Sequence, residues 1–317
     1  MTPKIALLFL VTKDIVNIDI WKKWMKGHED YFSVYSHYSL KSDKNVKQKL
    51  LTDSRVFPVF TQWGDISLMQ AERELLKNAL QDKNNKYFIL FSDTCIPLHT
   101  FEHTYDYIFS DPRGILDYTD FYKMSKDDNP VPFHYNLECN DLLKKYHFHK
   151  GMSYSSHQWK VLNVQNAKDF VAMFQDSDYV KLFTNYCVEV VPESLAPDEL
   201  MYINWLKFKY GDKFKKQIRQ GAVTQADFKG KAIHPIPRTE IIPSVKRFGC
   251  SEDGPLFARK YPNPSDKLKT QVPLDCGFES SRRSKKKSTT KQSRRKKARR
   301  SKKHRKRAPR VSSRYSR

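Results

Sequence analysis

Residues 87–93 read Tyr-Phe-Ile-Leu-Phe-Ser-Asp, five apolar residues followed by two polar ones. A short apolar run that ends in polar residues is typical of a strand buried on both faces of a sheet. The preceding segment, Ser67–Gln81, is predicted to be a helix that Ser67 can cap. Its apolar face consists of Leu68, Ala71, Leu75, Leu76 and Ala79. A helix that leads into a buried strand is the repeating unit of an α/β sheet.

The same alternation extends toward the N-terminus. We predict a buried strand over Lys4–Thr12, an amphipathic helix over Ile18–Lys26 and a second strand over Tyr31–Tyr38. A short third strand is predicted over Val56–Phe60. This order of elements predicts a mostly parallel sheet covered by helices on both faces.

Polar residues follow three of these strands, at Thr12–Asp14, Ser36–Tyr38 and Ser92–Asp93. In open α/β sheets, ligands bind at the carboxyl ends of the strands. We therefore expect a binding site where these three segments meet. Farther along the chain, Gln165–Phe174 and Asp198–Tyr210 are predicted helices, and the polar stretch 125–150 is predicted to be an irregular loop.

The positive charge is concentrated at the C-terminus. Residues 281–317 hold 20 of the 58 Lys and Arg residues and no acidic residue, which leaves 38 basic and 35 acidic residues in the rest of the chain. The formal net charge of +23 is therefore mostly a property of the tail and gives no reason to interpret the body as a nucleic-acid-binding fold. Order is expected to fade from about Asn263, and the tail is predicted to be disordered because it lacks apolar residues to bury.

The sequence has no apolar stretch of about 20 residues, the length that a membrane-spanning helix needs. The apolar run Ile5–Val11 is shorter than a signal peptide requires and is interpreted as the first strand. We expect a protein that works in the cytoplasm or associates peripherally with a membrane. The five cysteines show no CxxC spacing, which leaves one or two long-range disulfides open.

Several segments, in their order and spacing, resemble the core-2/I-branching N-acetylglucosaminyltransferases, most closely the plant branch of that family. The matching segments begin with residues 4–13 (Lys-Ile-Ala-Leu-Leu-Phe-Leu-Val-Thr-Lys), Trp21, 26–29 and 35–37, and continue with 63–67, 71–76, 78–80 and 87–98. Later matches are Gln158-Trp159, Pro197-Asp198-Glu199-Leu200 and residues 254–260 (Gly-Pro-Leu-Phe-Ala-Arg-Lys). Together they cover residues 4–261.

The resemblance implies a GT-A-type, Rossmann-like domain, which we assign to residues 1–265. The disordered Lys/Arg-rich tail, assigned to residues 266–317, is a departure from the family. The resemblance further implies a UDP-sugar donor, usually UDP-N-acetylglucosamine, a glycan or glycoprotein acceptor, inversion at the anomeric carbon and no bound metal or other cofactor. Typical members are Golgi membrane proteins.

An inverting transferase needs a carboxylate that takes the proton of the acceptor hydroxyl. Glu199 stands where the resemblance places the catalytic glutamate, although an acid in a first helical turn also complements the helix dipole. Asp198 is a candidate sugar contact or an N-cap. Asp93 is a candidate sugar contact or a strand-terminal turn residue, and Trp159 is predicted to stack on a sugar or pack in the core.

The departing diphosphate needs cations. The resemblance assigns Lys260 to this role, with a second basic residue shortly upstream that we assign to Arg247 or Lys246, and Arg259 is a third candidate. Thr12 and His37, at strand ends, are predicted donor contacts. Solvated surface charge is the competing interpretation for Lys260 and for Arg247.

The Asp-x-Asp triplet that many metal-dependent GT-A enzymes use follows an apolar strand, whereas Asp176-Ser177-Asp178 follows a predicted helix. We interpret it as a loop at a helix end and predict independence from metal. The cluster His147-Phe148-His149 with His157 is attributed to chance, because it lacks acidic or cysteine ligands at suitable spacing other than Cys139.

Two other functions compete with an active transferase. One is a relative that has lost activity and only binds a glycan or a partner. The other is a nucleic-acid-binding or packaging protein, because the clusters at 294–297 and 302–307 can neutralise phosphates. The tail would equally suit an acidic membrane surface or a nuclear-import receptor.

Overall fold

The computed structural model describes residues 2–12, 14–39, 56–120, 139–148, 154–184, 196–228 and 235–276, and the backbone of 134–135 and 188–189. The predicted tail beyond residue 276, and most of the polar stretch 125–150, lie outside the described residues.

A six-stranded sheet forms the centre of the fold, in the order β2-β1-β3-β7-β5-β9. Its strands are β1 (Lys4–Val11), β2 (Phe32–Tyr38), β3 (Asn85–Ser92), β5 (Gly114–Asp120), β7 (Tyr154–Asn163) and β9 (Ile218–Gln220). The pairs β1–β2, β1–β3 and β5–β9 are parallel, whereas β7 runs antiparallel to both of its neighbours, β3 and β5. Five strands therefore point one way and β7 points the other way. The predicted mainly parallel α/β sheet is confirmed.

Smaller strands complete the sheet structure. A three-stranded sheet has the order β10-β11-β4, formed by β10 (Thr224–Ala226), β11 (Phe257–Arg259) and β4 (Ile96–Pro97). The short strands β6 (His134–Tyr135) and β8 (Val188–Glu189) pair with each other.

Helices flank the central sheet. They are α1 (Ile18–Met25), α2 (Ser67–Ala79), α3 (Phe101–Phe109), α4 (Asn140–Lys145), α5 (Val164–Met173), α6 (Ser177–Lys181), α7 (Pro197–Tyr210), α8 (Pro243–Gly249) and α9 (Asp266–Gln271). Two 3-10 segments lie at Glu29–Tyr31 and Gly211–Lys216. All these elements belong to one compact unit, Met1–Leu274.

An aromatic cluster joins the small sheet to the central one. The ring of Phe91, in β3, lies 4.6 Å from that of Phe257 in β11 and 5.2 Å from that of Phe9 in β1. Trp21 of α1 packs edge-on against Phe9 at 5.1 Å, and its indole nitrogen donates to the Cys95 carbonyl at 3.1 Å. These contacts fix β11, and the residues that follow it, at the carboxyl end of β3.

The segment Val56–Phe60 is not a strand, contrary to prediction. Pro58 has no amide hydrogen and so cannot donate a hydrogen bond to a neighbouring strand. Its amides bond elsewhere: Val56 donates to the Ser36 carbonyl at 3.1 Å, and Val59 donates to Nε2 of His37 at 2.8 Å. The residues Phe57 and Phe60 remain exposed.

Three local predictions also differ from the structure. Ser67 does not cap α2, because Asp65 accepts the Ser67 amide at 2.8 Å and the Ser67 hydroxyl accepts the Gln62 amide at 3.0 Å. The stretch predicted as loop contains α4. Order continues past Asn263 and past the predicted domain end at residue 265, because Ser265 caps α9 and Leu268 is fully buried.

Among the described residues, no helix is long and apolar enough to cross a membrane. Cys139, Cys250 and Cys276 each take part in a disulfide, whereas Cys95 is a buried free thiol. The disulfides that the sequence left open are therefore present.

The first residue of β5 has no room for a side chain. A Cβ on Gly114 would lie 2.7 Å from the Val161 carbonyl oxygen and 2.6 Å from Oδ1 of Asn166. We expect Gly114→Ala to lower the free energy of unfolding by about 1–3 kcal/mol, measured by urea denaturation, because the backbone of β7 cannot move away. As a control, Gly221→Ala meets only Cγ2 of Ile115 at 3.4 Å and should change stability by less than about 0.5 kcal/mol. Equal effects of the two changes would contradict this packing.

Candidate active site

Asp93 joins the carboxyl ends of β1 and β3. Its Oδ2 accepts the backbone amide of Thr12 at 3.2 Å, and its carbonyl accepts the amide of Val16 at 3.1 Å. Burial raises the pKa of Asp93, while the bonds from Thr12 and the charges of Arg259 and Lys260 oppose that rise. The predicted meeting of Thr12 and Asp93 at one edge of the sheet is confirmed.

Helix α7 carries Asp198 and Glu199 in its first turn. Pro197 at the helix start suits this position because proline has no amide hydrogen to leave unpaired. The helix is held on β7 by Asn204, whose side chain accepts the Tyr154 amide at 3.2 Å and donates to the Tyr154 carbonyl at 2.7 Å. At the helix start, the Ser156 hydroxyl donates to the Glu199 carbonyl at 3.3 Å. The backbone of the Asp198–Glu199 pair is therefore fixed relative to β7.

The environment of Glu199 favours its protonated form. Desolvation, followed by the neighbouring charge of Asp198, raises the pKa of Glu199 to about 7, and Arg259 opposes the rise. Glu199 is an exposed residue, so water reaches its carboxylate from one side, while the protein on the other side disfavours the charge. The pKa of Asp198 is also raised by burial, against the charges of Lys160 and Arg259. A carboxylate with a pKa near neutrality is suited to general base catalysis.

Arg259 is the cation common to all three acids. Its charge acts on Asp93, Asp198 and Glu199, and burial lowers its own pKa. The guanidinium carbon lies 4.4 Å from the ring centre of Trp159, in β7. Nε of Arg259 is buried and has no hydrogen-bond partner among the described residues. Arg259 therefore belongs to the carboxylate cluster, although the sequence assigned it to the donor diphosphate.

Trp159 is buried, and the guanidinium of Arg259 covers one face of its ring. Of the two interpretations left open by the sequence, the structure places this residue inside the protein, where it supports Arg259.

Lys260 lies beside Arg238, a residue that the sequence analysis did not single out. The Arg238 amide donates to the Lys260 carbonyl at 2.8 Å, which brings the two basic residues together. Nε of Arg238 donates to Oδ2 of Asp227 at 2.8 Å, and the guanidinium NH2 bonds the same oxygen. Lys260 also acts on the charge of Asp93. The backbones of Arg238 and Lys260 are therefore adjacent near the end of β3, and the guanidinium of Arg238 is paired with Asp227.

Two predicted donor contacts lie elsewhere. Arg247, in α8, is exposed and lies 5.1 Å from the ring centre of Phe248, and the following Gly249 packs near Leu98, at the end of β4 away from Asp93. His37 is buried, and its Nε2 accepts the Val59 amide at 2.8 Å. The structure gives His37 the role of holding the segment after β2.

The acidic triplet has structural contacts. Asp176 caps α6 by accepting the Tyr179 amide at 3.1 Å, and it also accepts the Tyr146 hydroxyl at 2.6 Å. Asp178 pairs with Lys145 at 2.7 Å. In the part of the chain that the structure describes, no group of three or more His, Cys, Asp or Glu residues is arranged to hold a metal ion.

Arg238 could have been found from the sequence, because it is a basic residue upstream of Lys260, as the family resemblance required. Lys246 and Arg247, the residues assigned to this role from the sequence, are also upstream of Lys260. The hydrogen bond from residue 238 to residue 260 spans 22 positions, and spacing alone does not reveal it.

An acid with a pKa near 7, two more acids and several cations thus lie at the carboxyl edge of a mainly parallel sheet, the position and the type of cluster that mark a candidate active site in an α/β fold. The chain belongs to the Core-2/I-Branching enzyme family, whose sequence model matches residues 5–247. The predicted family is confirmed.

The chain is also similar to two known proteins. Over 192 residues the chain is 28% identical to Glycosyltransferase BC10 of Oryza sativa subsp. japonica, a match that covers 58% of this chain and 43% of that protein. The chain therefore spans less than half the length of this relative. A solved structure of galactosyltransferase LgtC, in complex with donor and acceptor sugar analogues, aligns with 87% of this chain and 94% of its own, at a TM-score of 0.36 and 10% identity.

The raised pKa of Glu199 predicts a pH-dependent effect on stability. Below about pH 4.5 the carboxyl is protonated in both folded and unfolded states, whereas above about pH 7 the folded state must hold a disfavoured charge. We therefore expect Glu199→Gln to leave the melting temperature unchanged at pH 4.5 and to raise it at pH 8.5, measured by differential scanning fluorimetry. The exposed Glu102→Gln should show no such difference, and a Glu199→Gln effect equal at both pH values would contradict the prediction.

Proposed function

We propose that this protein is an inverting glycosyltransferase that moves a sugar, N-acetylglucosamine, from a UDP-sugar to a hydroxyl group of a glycan or glycoprotein. The observation that carries the proposal is Glu199, a carboxylate with a pKa of about 7 in the first turn of α7. Membership of the Core-2/I-Branching enzyme family supports it.

In the proposed reaction, Glu199 removes the proton of the acceptor hydroxyl as the oxygen attacks the anomeric carbon from the face opposite the departing UDP. The bond between that carbon and the phosphate oxygen breaks, and the electron pair leaves with UDP. A base with a pKa near 7 is stronger than an ordinary carboxylate, and about half of it is ionised at neutral pH. Repulsion by the charge of Asp198 raises the pKa of Glu199, and attraction by the charge of Arg259 lowers it.

Lys260 and Arg238 are proposed to neutralise the charge that develops on the diphosphate. Their shared hydrogen bond keeps them together, and fixed cations of this kind can take the place of a divalent metal. Asp176 and Asp178, the only Asp-x-Asp triplet in the sequence, have helix-capping and ion-pair partners. We therefore propose a reaction that needs no metal ion. Asp93 is proposed to bind a sugar hydroxyl, and Thr12 supports it through its amide.

The base is tested by Glu199→Gln in the full-length protein. With a panel of UDP-sugars and glycan acceptors, we expect UDP release to fall by about 10²–10⁴-fold, while the Kd for the donor stays within a few-fold. In the wild type, kcat/KM should fall tenfold per pH unit below about pH 7, because the protonated carboxyl cannot accept the hydroxyl proton.

The exposed Glu102→Gln serves as the matched control and should retain full turnover. The assigned base would be refuted if Glu199→Gln turned over substrate like the wild type. It would also be refuted if the kcat/KM of the wild type began to fall only near pH 4. If the wild type binds and turns over none of the UDP-sugars, the chain is an inactive relative and the proposed function fails.

The cation pair is tested by Arg238→Ala and Lys260→Ala. Each change should lower kcat/KM by at least about tenfold, which corresponds to about 1.4 kcal/mol of transition-state stabilisation, and turnover should persist in EDTA.

Arg247→Ala, which removes an exposed arginine of α8, should retain wild-type kcat/KM. Asp227→Asn breaks the same ion pair as Arg238→Ala but keeps the cation, so it separates loss of charge from loss of structure. A larger loss in Arg247→Ala than in Arg238→Ala, or complete inhibition by EDTA, would overturn the assignment.

A further inference from the structure

A cavity of about 490 Å³ lies between α1, the start of α3 and the segment that follows α9. Its walls are mainly apolar, and the apolar lining residues are Ile20, Trp24, Pro97, Phe101, Val272 and Pro273. None of the residues assigned to the candidate active site lines it. A mainly apolar cavity of this size is typical of a site for a small molecule.

The aromatic wall of this cavity is fixed by the surrounding fold. The indole nitrogen of Trp24 donates to the His99 carbonyl at 2.8 Å, and the Trp24 ring lies 4.8 Å from that of Phe101. The His28 ring, which also lines the cavity, stacks on Phe101 at 4.5 Å. Because neighbouring elements hold these rings, the cavity is preformed, and a ligand that enters it loses little free energy to rearrangement of the protein.

Lysine side chains border the apolar walls. Lys23 and Lys26, at the end of α1, are exposed lining residues, and neither has an ion-pair partner among the described residues. Residues three positions apart on a helix are neighbours on its surface, so both ammonium groups can reach one ligand group. Lys269 of α9 also lines the cavity, and its Nζ lies 3.1 Å from Oδ1 of Asp266.

Two acids, Asp19 and Glu102, line the cavity as well. Asp19 belongs to the first turn of α1, one turn before Lys23. Oε1 of Glu102 lies 3.3 Å from Nε2 of His28, which offsets the carboxylate charge when the imidazole is protonated. The lining lysines therefore outnumber the acids, and the two lysines without an ion-pair partner are adjacent. This distribution favours a ligand with a negative charge near the end of α1.

Shape and charge together define the class of ligand. An apolar chain would cover the walls and release the water that contacts them. A carboxylate or phosphate at the end of that chain would accept hydrogen bonds from Lys23 and Lys26. A sugar does not suit the same walls, because its hydroxyl groups would lose their hydrogen bonds to water against proline, valine and aromatic rings.

We propose that this cavity binds an anionic amphiphile, an acyl chain that carries a carboxylate or a phosphate. The chain lies against Trp24 and Phe101, and the anionic group lies on Lys23 and Lys26. This ligand is neither the donor nor the acceptor of the proposed sugar transfer. The inference therefore goes beyond the proposed function and does not depend on it.

Fatty acids test the cavity in the full-length protein by isothermal titration calorimetry. Octanoate and decanoate should bind at a single site. From hexanoate to decanoate, each added methylene should tighten the Kd by about fourfold, because each buries more apolar surface in the cavity. A Kd that does not depend on chain length, or no binding to the wild type, would overturn the proposal.

The lysines are tested by changing Lys23 and Lys26 to Ala together. The Kd for octanoate should rise by about fivefold to tenfold, because two exposed cations are lost, while the Kd for uncharged octanol should stay the same. Lys22→Ala is the matched control, since Lys22 is an exposed lysine of α1 that does not line the cavity. An equal loss in this control, or an equal loss for octanol and octanoate, would contradict the assigned anion contacts.

The space for the chain is tested by Thr270→Trp, which places a large ring at an exposed lining position. Octanoate should bind at least about tenfold more weakly, because the ring takes the space of the chain, whereas Thr270→Ala should bind it like the wild type. Both variants keep the basic residues 281–317, so binding to these residues does not explain a difference between them. Unaltered binding in Thr270→Trp would place the ligand elsewhere and refute the cavity site.

Vesicles distinguish the two sources of such a ligand, a free amphiphile and a membrane lipid. With phosphatidylcholine vesicles that contain oleate, a ligand taken from a membrane predicts more sedimentation of the wild type than of Thr270→Trp. A free ligand predicts equal sedimentation, together with the difference in octanoate affinity. UDP-sugar turnover is measured separately, so its absence would refute the proposed function and leave the cavity site standing.

Discussion

The insertion of an antiparallel strand into a parallel sheet is the constraint on which the site depends. Because β7 lies between β3 and β5 and runs against both, its first half lies at the edge where the other strands end. Strand β7 supplies Ser156, whose hydroxyl donates to the Glu199 carbonyl, Trp159, whose ring lies against the Arg259 guanidinium, and Lys160, which pairs with Glu72. A parallel strand at this position would present its last residues to this edge instead.

The second requirement is a helix start that is fixed in place. A helix whose first turn only frays into solvent cannot hold a carboxylate at a defined distance from a substrate. Helix α7 avoids this through Asn204, which pairs with both backbone groups of Tyr154, and through Tyr179, whose hydroxyl donates to the Met201 carbonyl at 2.7 Å. Most of the helix is buried and packs as part of the core. The backbone that carries the acids at its start is therefore held rigidly.

The sequence revealed those parts of the molecule that depend on local patterns. Strands β1 and β3 each contain a long apolar run, and helix α7 begins at a proline that marks a helix start, with Glu199 in its first turn. Val56–Phe60 was misread because its pattern resembles a strand while its amides bond to Ser36 and His37. Arg238 and the Lys160–Glu72 pair depend on contacts between residues 22 and 88 positions apart, and no local pattern encodes such contacts.

The distribution of cations explains how one site can serve two opposite electrostatic needs. A general base must stay basic, so a cation too close to Glu199 would lower its pKa and weaken it, whereas a leaving diphosphate needs as much positive charge as possible. In the proposed reaction these two needs are met by neighbouring residues of one short stretch of chain. Arg259 lies against Trp159 and acts on Asp93, Asp198 and Glu199, while the next residue, Lys260, acts on Asp93 and bonds through its backbone to Arg238.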